Sequence, residues 1–132
     1  MNRRDLRDKV FKLLFRIEFN STVEMEEQQR LFFLDEENLS DEQTTQNVNE
    51  KYIKIIEKLP EIDGDINQIA MGWSTERMSK VDLTIIRLAI FEIKYDDEVP
   101  TGVAINEAVE LAKRYGQDES SVFVNGILAK FA

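Results

Sequence analysis

An all-α fold of about seven helices in two small packed bundles is what the sequence predicts, and three observations predict it. Only two prolines and five glycines interrupt 132 residues. The stretches between them carry apolar residues at spacings of three and four, the repeat of a single helix face. From Val81 to Tyr95 apolar residues cover nearly the whole circumference of a helix, so that segment has to be central. The length fits one domain over 1–132, with an N-terminal helical half over about 1–59 and a C-terminal half over about 60–132.

Each element follows from its own residues. The first helix runs from about Arg4 to Phe19, with Leu6, Val10, Leu13, Leu14 and Ile17 on one stripe. A second covers about Glu24 to Leu34, its apolar residues crowded into Leu31-Phe32-Phe33-Leu34. Ser40-x-x-Gln43 has the form of a capping box and starts a third helix that reaches Leu59. Pro60 and the Asp63-Gly64-Asp65 turn then mark a seam, because proline lacks the N–H a helix interior needs. Ile62, Ile66, Ile69 and Trp73 suit a short fourth helix, with Trp73 in the core. Ser79-x-x-Asp82 is a second capping box, opening the central helix. After Pro100, Ile105, Ala108, Val109 and Ala112 form the inner face of a sixth helix. It ends at Gly116, which is expected in the left-handed conformation common at helix C-termini. The last helix spans about Ser120 to Phe131.

Composition removes most catalytic chemistry. With no cysteine and no histidine, the chain has no thiol nucleophile, no zinc site built on Cys or His and no Ser-His-Asp triad. Neither a metal nor another cofactor is expected. Glu107 and Glu110 share a helix face, but Glu110 stands four residues before Arg114, the spacing of a solvated ion pair and not of an acid/base couple. The glycines at 64, 72, 102, 116 and 126 form no phosphate-cradling loop. The start of the chain lacks the apolar run of a signal peptide, and no stretch approaches a membrane span, so a cytoplasmic protein is expected.

The net charge of −9 argues at first against a nucleic-acid partner, yet it is an average over unlike segments. Residues 1–16 hold six bases (Arg3, Arg4, Arg7, Lys9, Lys12 and Arg16) against two acids, whereas the remainder holds 11 bases against 24 acids. On a helical wheel Arg4, Arg7, Phe11 and Phe15 fall within one sector of roughly 80°, apart from the leucine stripe. Guanidinium groups pair with phosphate and stack on bases, and aromatic rings give single-stranded bases a stacking surface. That sector therefore suits RNA, with Arg3 adding to it. The competing reading packs Phe11 and Phe15 beneath the second helix and leaves the arginines solvated. Asn125-Gly126 in the last helix is unusual, since glycine costs a helix interior about 1 kcal/mol relative to alanine. Close approach of another backbone, the central helix, is the ordinary explanation, and a ligand approaching there is the alternative.

Longer segments carry a likeness. Val81-Asp-Leu-Thr-Ile-Ile-Arg-Leu-Ala-Ile-Phe-Glu-Ile is followed by Val99-Pro, by Ala104-Ile-Asn-Glu-Ala-Val-Glu-Leu-Ala-Lys, then by Tyr115-Gly and Phe123-Val-Asn-Gly-Ile-Leu. In order and spacing this run closely resembles the NusB family of bacterial transcription antitermination proteins. The arginine-rich start resembles the family as well, and the likeness is weakest from about Val23 to Asn49.

The resemblance implies an assembly factor, not an enzyme. It implies binding of single-stranded boxA RNA of ribosomal RNA leaders, together with the ribosomal protein NusE, within an antitermination complex on RNA polymerase. RNA-facing positions of the family carry over to Arg3, Arg4, Arg7, Phe15 and Phe123, and NusE-facing acids to Glu76 and Asp82. An acidic surface outside the first helix would suit a basic ribosomal protein. Three positions depart from the family pattern. Asp5 stands where an arginine is frequent, Phe15 where tyrosine is common, and Val122 where a lysine occurs. Each change removes a charge or hydroxyl from the RNA face, so RNA alone is expected to bind weakly and NusE to be needed for tight binding. Two other readings remain open. One is a NusB-like module detached from an RNA cytosine methyltransferase, which the missing cofactor loop and cysteine oppose; the other is a helical adaptor that closes a homodimer through its basic helix.

Overall fold

A computed structural model describes residues 2–35, 41–70 and 74–132. Its described residues contain no strand and form six α-helices: α1 (Arg3–Phe15), α2 (Thr22–Leu34), α3 (Glu42–Ile69), α4 (Lys80–Tyr95), α5 (Thr101–Tyr115) and α6 (Ser120–Leu128). Short 3-10 turns at Arg16–Glu18, Thr75–Arg77 and Ala129–Phe131 complete the chain. The expected fold class holds, with one helix fewer than the sequence suggests. The chain divides into two compact units, Met1–Ile56 and Glu57–Ala132.

In the first unit α1 starts at Asn2, whose Oδ1 accepts the N–H of Asp5 at 2.8 Å. Val10, Phe11, Leu13 and Leu14 of α1 are buried, as are Met25 and Phe32 of α2 and Val48, Tyr52 and Ile55 of α3. The helix stops earlier than its apolar stripe implies, and Arg16–Glu18 tighten into a 3-10 turn. Helix α2 begins with a complete capping box that sequence inspection passes over: Ser21 Oγ accepts the Glu24 N–H at 3.2 Å and the Glu24 carboxylate accepts the Ser21 N–H at 2.7 Å. That backbone bond holds the Glu24 carboxyl below the usual glutamate range. Helix α3 is capped by Asp41, whose carboxylate accepts the Thr44 N–H at 2.7 Å; Ser40 of the expected capping box lies outside the described residues.

The helix break expected at Pro60 is not there, although the boundary between the two compact units falls close to it, between Ile56 and Glu57. Helix α3 runs unbroken from Glu42 to Ile69 with Pro60 inside it. A proline in a helix interior costs about 3 kcal/mol, through the lost hydrogen bond and the clash with the carbonyl four residues earlier. Tertiary burial offsets that cost. Ile62 and Ile66 are completely buried, each contributing about 1.5–3 kcal/mol. Asp63 and Asp65, expected in a turn, instead anchor the helix to α4. Asp63 accepts two bonds from Arg87, both at 2.8 Å, and Asp65 pairs with Lys94. The separate fourth helix over 62–73 is therefore the C-terminal part of α3 as far as Ile69. Trp73, expected in the core, lies outside the described residues.

Helix α4 is central in the second unit, as its all-round apolarity requires. Residues Asp82 to Glu92 are all buried, and α4, α5 and α6 pack on one another. Ser79 Oγ accepts the Asp82 N–H at 3.1 Å, which is one half of the expected capping box; the reciprocal bond to the Asp82 carboxylate is not made. Beyond α3, Lys130 Nζ donates to the Ile69 carbonyl at 3.2 Å, satisfying one acceptor where the helix runs out of its own donors.

Gly116 ends α5, though not for the expected reason. Its φ of −90° and ψ of −170° are extended, not left-handed. Space decides instead: a Cβ there would lie 2.5 Å from both Cβ and Oγ of Ser120 and 2.7 Å from the Ala112 carbonyl oxygen. Ser120 is itself fixed, its Oγ accepting the Gln117 N–H at 2.9 Å. Gly116→Ala should accordingly destabilise the fold by about 1–3 kcal/mol, read as a lower urea midpoint at unchanged slope. A midpoint equal to that of the parent would show that Ser120 yields freely.

Candidate nucleic-acid interface

The six bases of the first 16 residues do not share one environment. Arg3 and Arg4 occupy the first turn of α1 and are exposed, as is Asp5 beside them. Arg7, one turn on, is only 4% exposed. Lys9 is half-buried, and Lys12 pairs with Asp8 at 3.1 Å. Arg16 turns toward α2, donating to the backbone oxygen and Oε1 of Gln28 at 3.2 Å each, with its guanidinium 5.2 Å from the centre of the Phe32 ring. The exposed cationic surface of α1 is thus concentrated at its N-terminal end, where the unpaired backbone N–H groups of the helix add partial positive charge.

The aromatic side of α1 is graded in the opposite sense. Phe11 is buried; Phe15 is half-buried and stacks on Phe11 with centroids 6.0 Å apart and planes 19° apart. Phe15 meets Phe19 edge to face at 5.1 Å, and Phe19 is 60% exposed. The wheel places Arg4, Arg7, Phe11 and Phe15 in one sector, but the middle of that sector is sealed and its ends are open. Arg7 is separated by burial from the exposed Arg3 and Arg4, so it does not stand with them on the surface. Phe19 is missed by sequence reasoning although its signal was present, since Phe11, Phe15 and Phe19 recur every four residues.

In the second unit Phe123 is half-buried on α6, and Val122 beside it is 75% exposed. The expectation that another backbone crosses at Gly126 is overturned: a Cβ built there meets nothing within 4 Å, because the residue lies on the exposed face of α6. Glu76 is exposed in the 3-10 turn Thr75–Arg77, which Asn67 fixes by accepting the Thr75 N–H at 2.8 Å. Asp82 differs. It is buried in the first turn of α4, and its Oδ1 has no hydrogen-bond partner among the described residues. Glu110 pairs with Lys113 at 3.6 Å, an ordinary surface contact. Among the described residues no group of three or more acidic side chains is placed to hold a metal, and no helix is long and apolar enough to cross a membrane.

Comparisons with known proteins show the family and the fold. The profile described as the NusB family matches residues 4–132. A protein of Agathobacter rectalis named transcription antitermination protein NusB is 54% identical over 132 residues, covering all of both chains. Among solved structures, T. maritima NusB superposes with a TM-score of 0.85 at 36% identity, covering all of this chain and 91% of that one. A structure described as antitermination factors NusB and NusE in complex with double-stranded RNA shares the fold, with a TM-score of 0.80 at 22% identity over 98% of this chain and 94% of that one.

Proposed function

The chain belongs to the NusB family of transcription antitermination proteins, and on that premise we propose that it binds single-stranded boxA-type RNA of ribosomal RNA leaders jointly with the ribosomal protein NusE, as an assembly factor of the antitermination complex on RNA polymerase in the cytoplasm. The observation that carries this reading is the pair of exposed arginines, Arg3 and Arg4, at the positive end of α1, with the ring of Phe15 further along the same helix. Two guanidiniums engage phosphate oxygens and the Phe15 ring receives a base; Phe123 on α6 is a second ring of the kind that bases stack on. Arg7 belongs to the same set, but its burial gives it a positioning part, holding the basic turn from beneath. That a relative of the same fold has been seen with NusE and RNA supports the choice of partners.

Glu76 and Asp82 serve the NusE surface. Glu76 meets a basic partner from its exposed turn, and Asp82, buried in the first turn of α4, contributes through its charge beneath that surface. Catalysis has no place in this scheme.

Arg3→Glu/Arg4→Glu in the full chain tests it. Both positions are exposed, so the helical spectrum and urea midpoint should match the parent. Affinity for boxA RNA should fall about 10- to 50-fold at moderate salt, and the slope of log K against log salt should shrink by about 1.4, or 0.7 for each phosphate released. NusE should tighten binding of the parent and restore part of the loss. Unchanged affinity and slope would remove α1 from RNA recognition.

A further inference from the structure

We propose that Phe19 is a further RNA-contacting residue, a base-stacking platform that extends the single-stranded site beyond α1 onto the 3-10 turn that follows it. The inference rests on the RNA-binding reading above and adds a residue to it. Phe19 is the only aromatic side chain among the exposed large hydrophobic residues of the described chain. Its ring continues the line of Phe11 and Phe15 in the outward direction: buried, half-buried, then 60% exposed. Arg4 and Phe15 stand about 16 Å apart along the axis of α1 at 1.5 Å per residue, and the Phe19 ring meets that of Phe15, so a strand held by its phosphates at the start of the helix and lying along it arrives at this ring.

The backbone holds the ring in place on both sides. The Phe19 N–H donates to the Arg16 carbonyl at 3.1 Å, and Asn20 Nδ2 donates to the same oxygen at 2.8 Å. Ser21 then locks into the capping box of α2. A phenyl ring presented from a fixed two-residue link loses little conformational freedom when a base stacks on it, and that is the condition under which stacking yields net affinity.

The test uses the full chain and single-stranded boxA-type RNA, intact and shortened stepwise from each end. Phe19→Ala should fold as the parent and bind the intact RNA on the order of 10-fold more weakly. Phe19→Leu, which keeps apolar bulk without a ring, should behave like Phe19→Ala, while Phe19→Tyr and Phe19→Trp should bind as the parent does. The salt slope should not change, because no phosphate contact is lost. The penalty should vanish for RNA shortened from one end only, the end that reaches the ring. Parental binding by Phe19→Ala, with binding lost in Arg3→Glu/Arg4→Glu, would overturn the stacking role and leave the RNA reading intact. Recovery by Phe19→Leu would reduce the ring to packing, and loss of NusE binding alone would assign the ring to a protein surface; both overturn the proposal. Parental RNA binding by all these variants would overturn the underlying reading with it.

Discussion

Charge reversal at Arg7 is expected to lower the stability of the fold by about 3–5 kcal/mol, the range for breaking a buried, charge-engaged site from one side. Arg7 is 4% exposed on a helix whose neighbouring Val10, Phe11, Leu13 and Leu14 are buried too. A glutamate there keeps a charge but inverts its sign, in surroundings that have accommodated a guanidinium and engaged it. It is also shorter and leaves part of the volume of the arginine stem unfilled. Arg7→Met, which keeps most of the stem and removes the charge, should cost clearly less. Urea denaturation followed by circular dichroism measures both, and RNA binding of Arg7→Glu should be compared only under conditions where it is folded. A variant as stable as the parent that nevertheless loses RNA would place Arg7 on the recognition surface with Arg3 and Arg4.

Removing Asp63 should rank next, at about 3 kcal/mol. Asp63→Ala deletes two charge-assisted bonds of 2.8 Å from the buried Arg87, and one of the anchors that carry α3 past Pro60 goes with them. The two partners are not equivalent. The Asp63 side chain is 28% exposed and that of Arg87 11%, so water can solvate the carboxylate left behind in Arg87→Met better than it can the guanidinium left behind in Asp63→Ala. Asp63→Ala should therefore be the more damaging single change, and the double variant Asp63→Leu/Arg87→Met should recover much of the loss by replacing the pair with apolar contact. Equal losses in the two single variants, or a double variant worse than either, would contradict this account.

Much of this architecture was legible before any coordinates. The all-round apolarity of Val81 to Tyr95 demanded a central helix, and α4 is buried over Asp82–Glu92. The Ser79 cap was readable because it depends on two residues three apart. What failed depended on which atoms meet in space, which local residue rules do not carry. Pro60 looks like a terminator to any local rule, and only the buried Ile62 and Ile66 and the partners of Asp63 and Asp65 on α4 keep α3 whole. Gly116 was expected to serve a dihedral angle and instead serves Ser120, four residues away. At the site, the wheel grouped Arg4 with Arg7 by azimuth alone. It has no information about depth along the axis, so it could not show that one is exposed and the other enclosed. Gly126 is the reverse error, a residue assigned a crowded place that turns out to be open.

The continuity of α3 bears on how the protein folds. Starting a helix is the unfavourable step and extending it the easy one. Because residues 42–56 and 57–69 lie on one helix, a single nucleation event serves both compact units, where two separate helices would need two. Pro60 sets the weakest link of this helix: the Ile56 carbonyl, at the last residue of the first unit, is the one acceptor to which residue 60 has no N–H to offer.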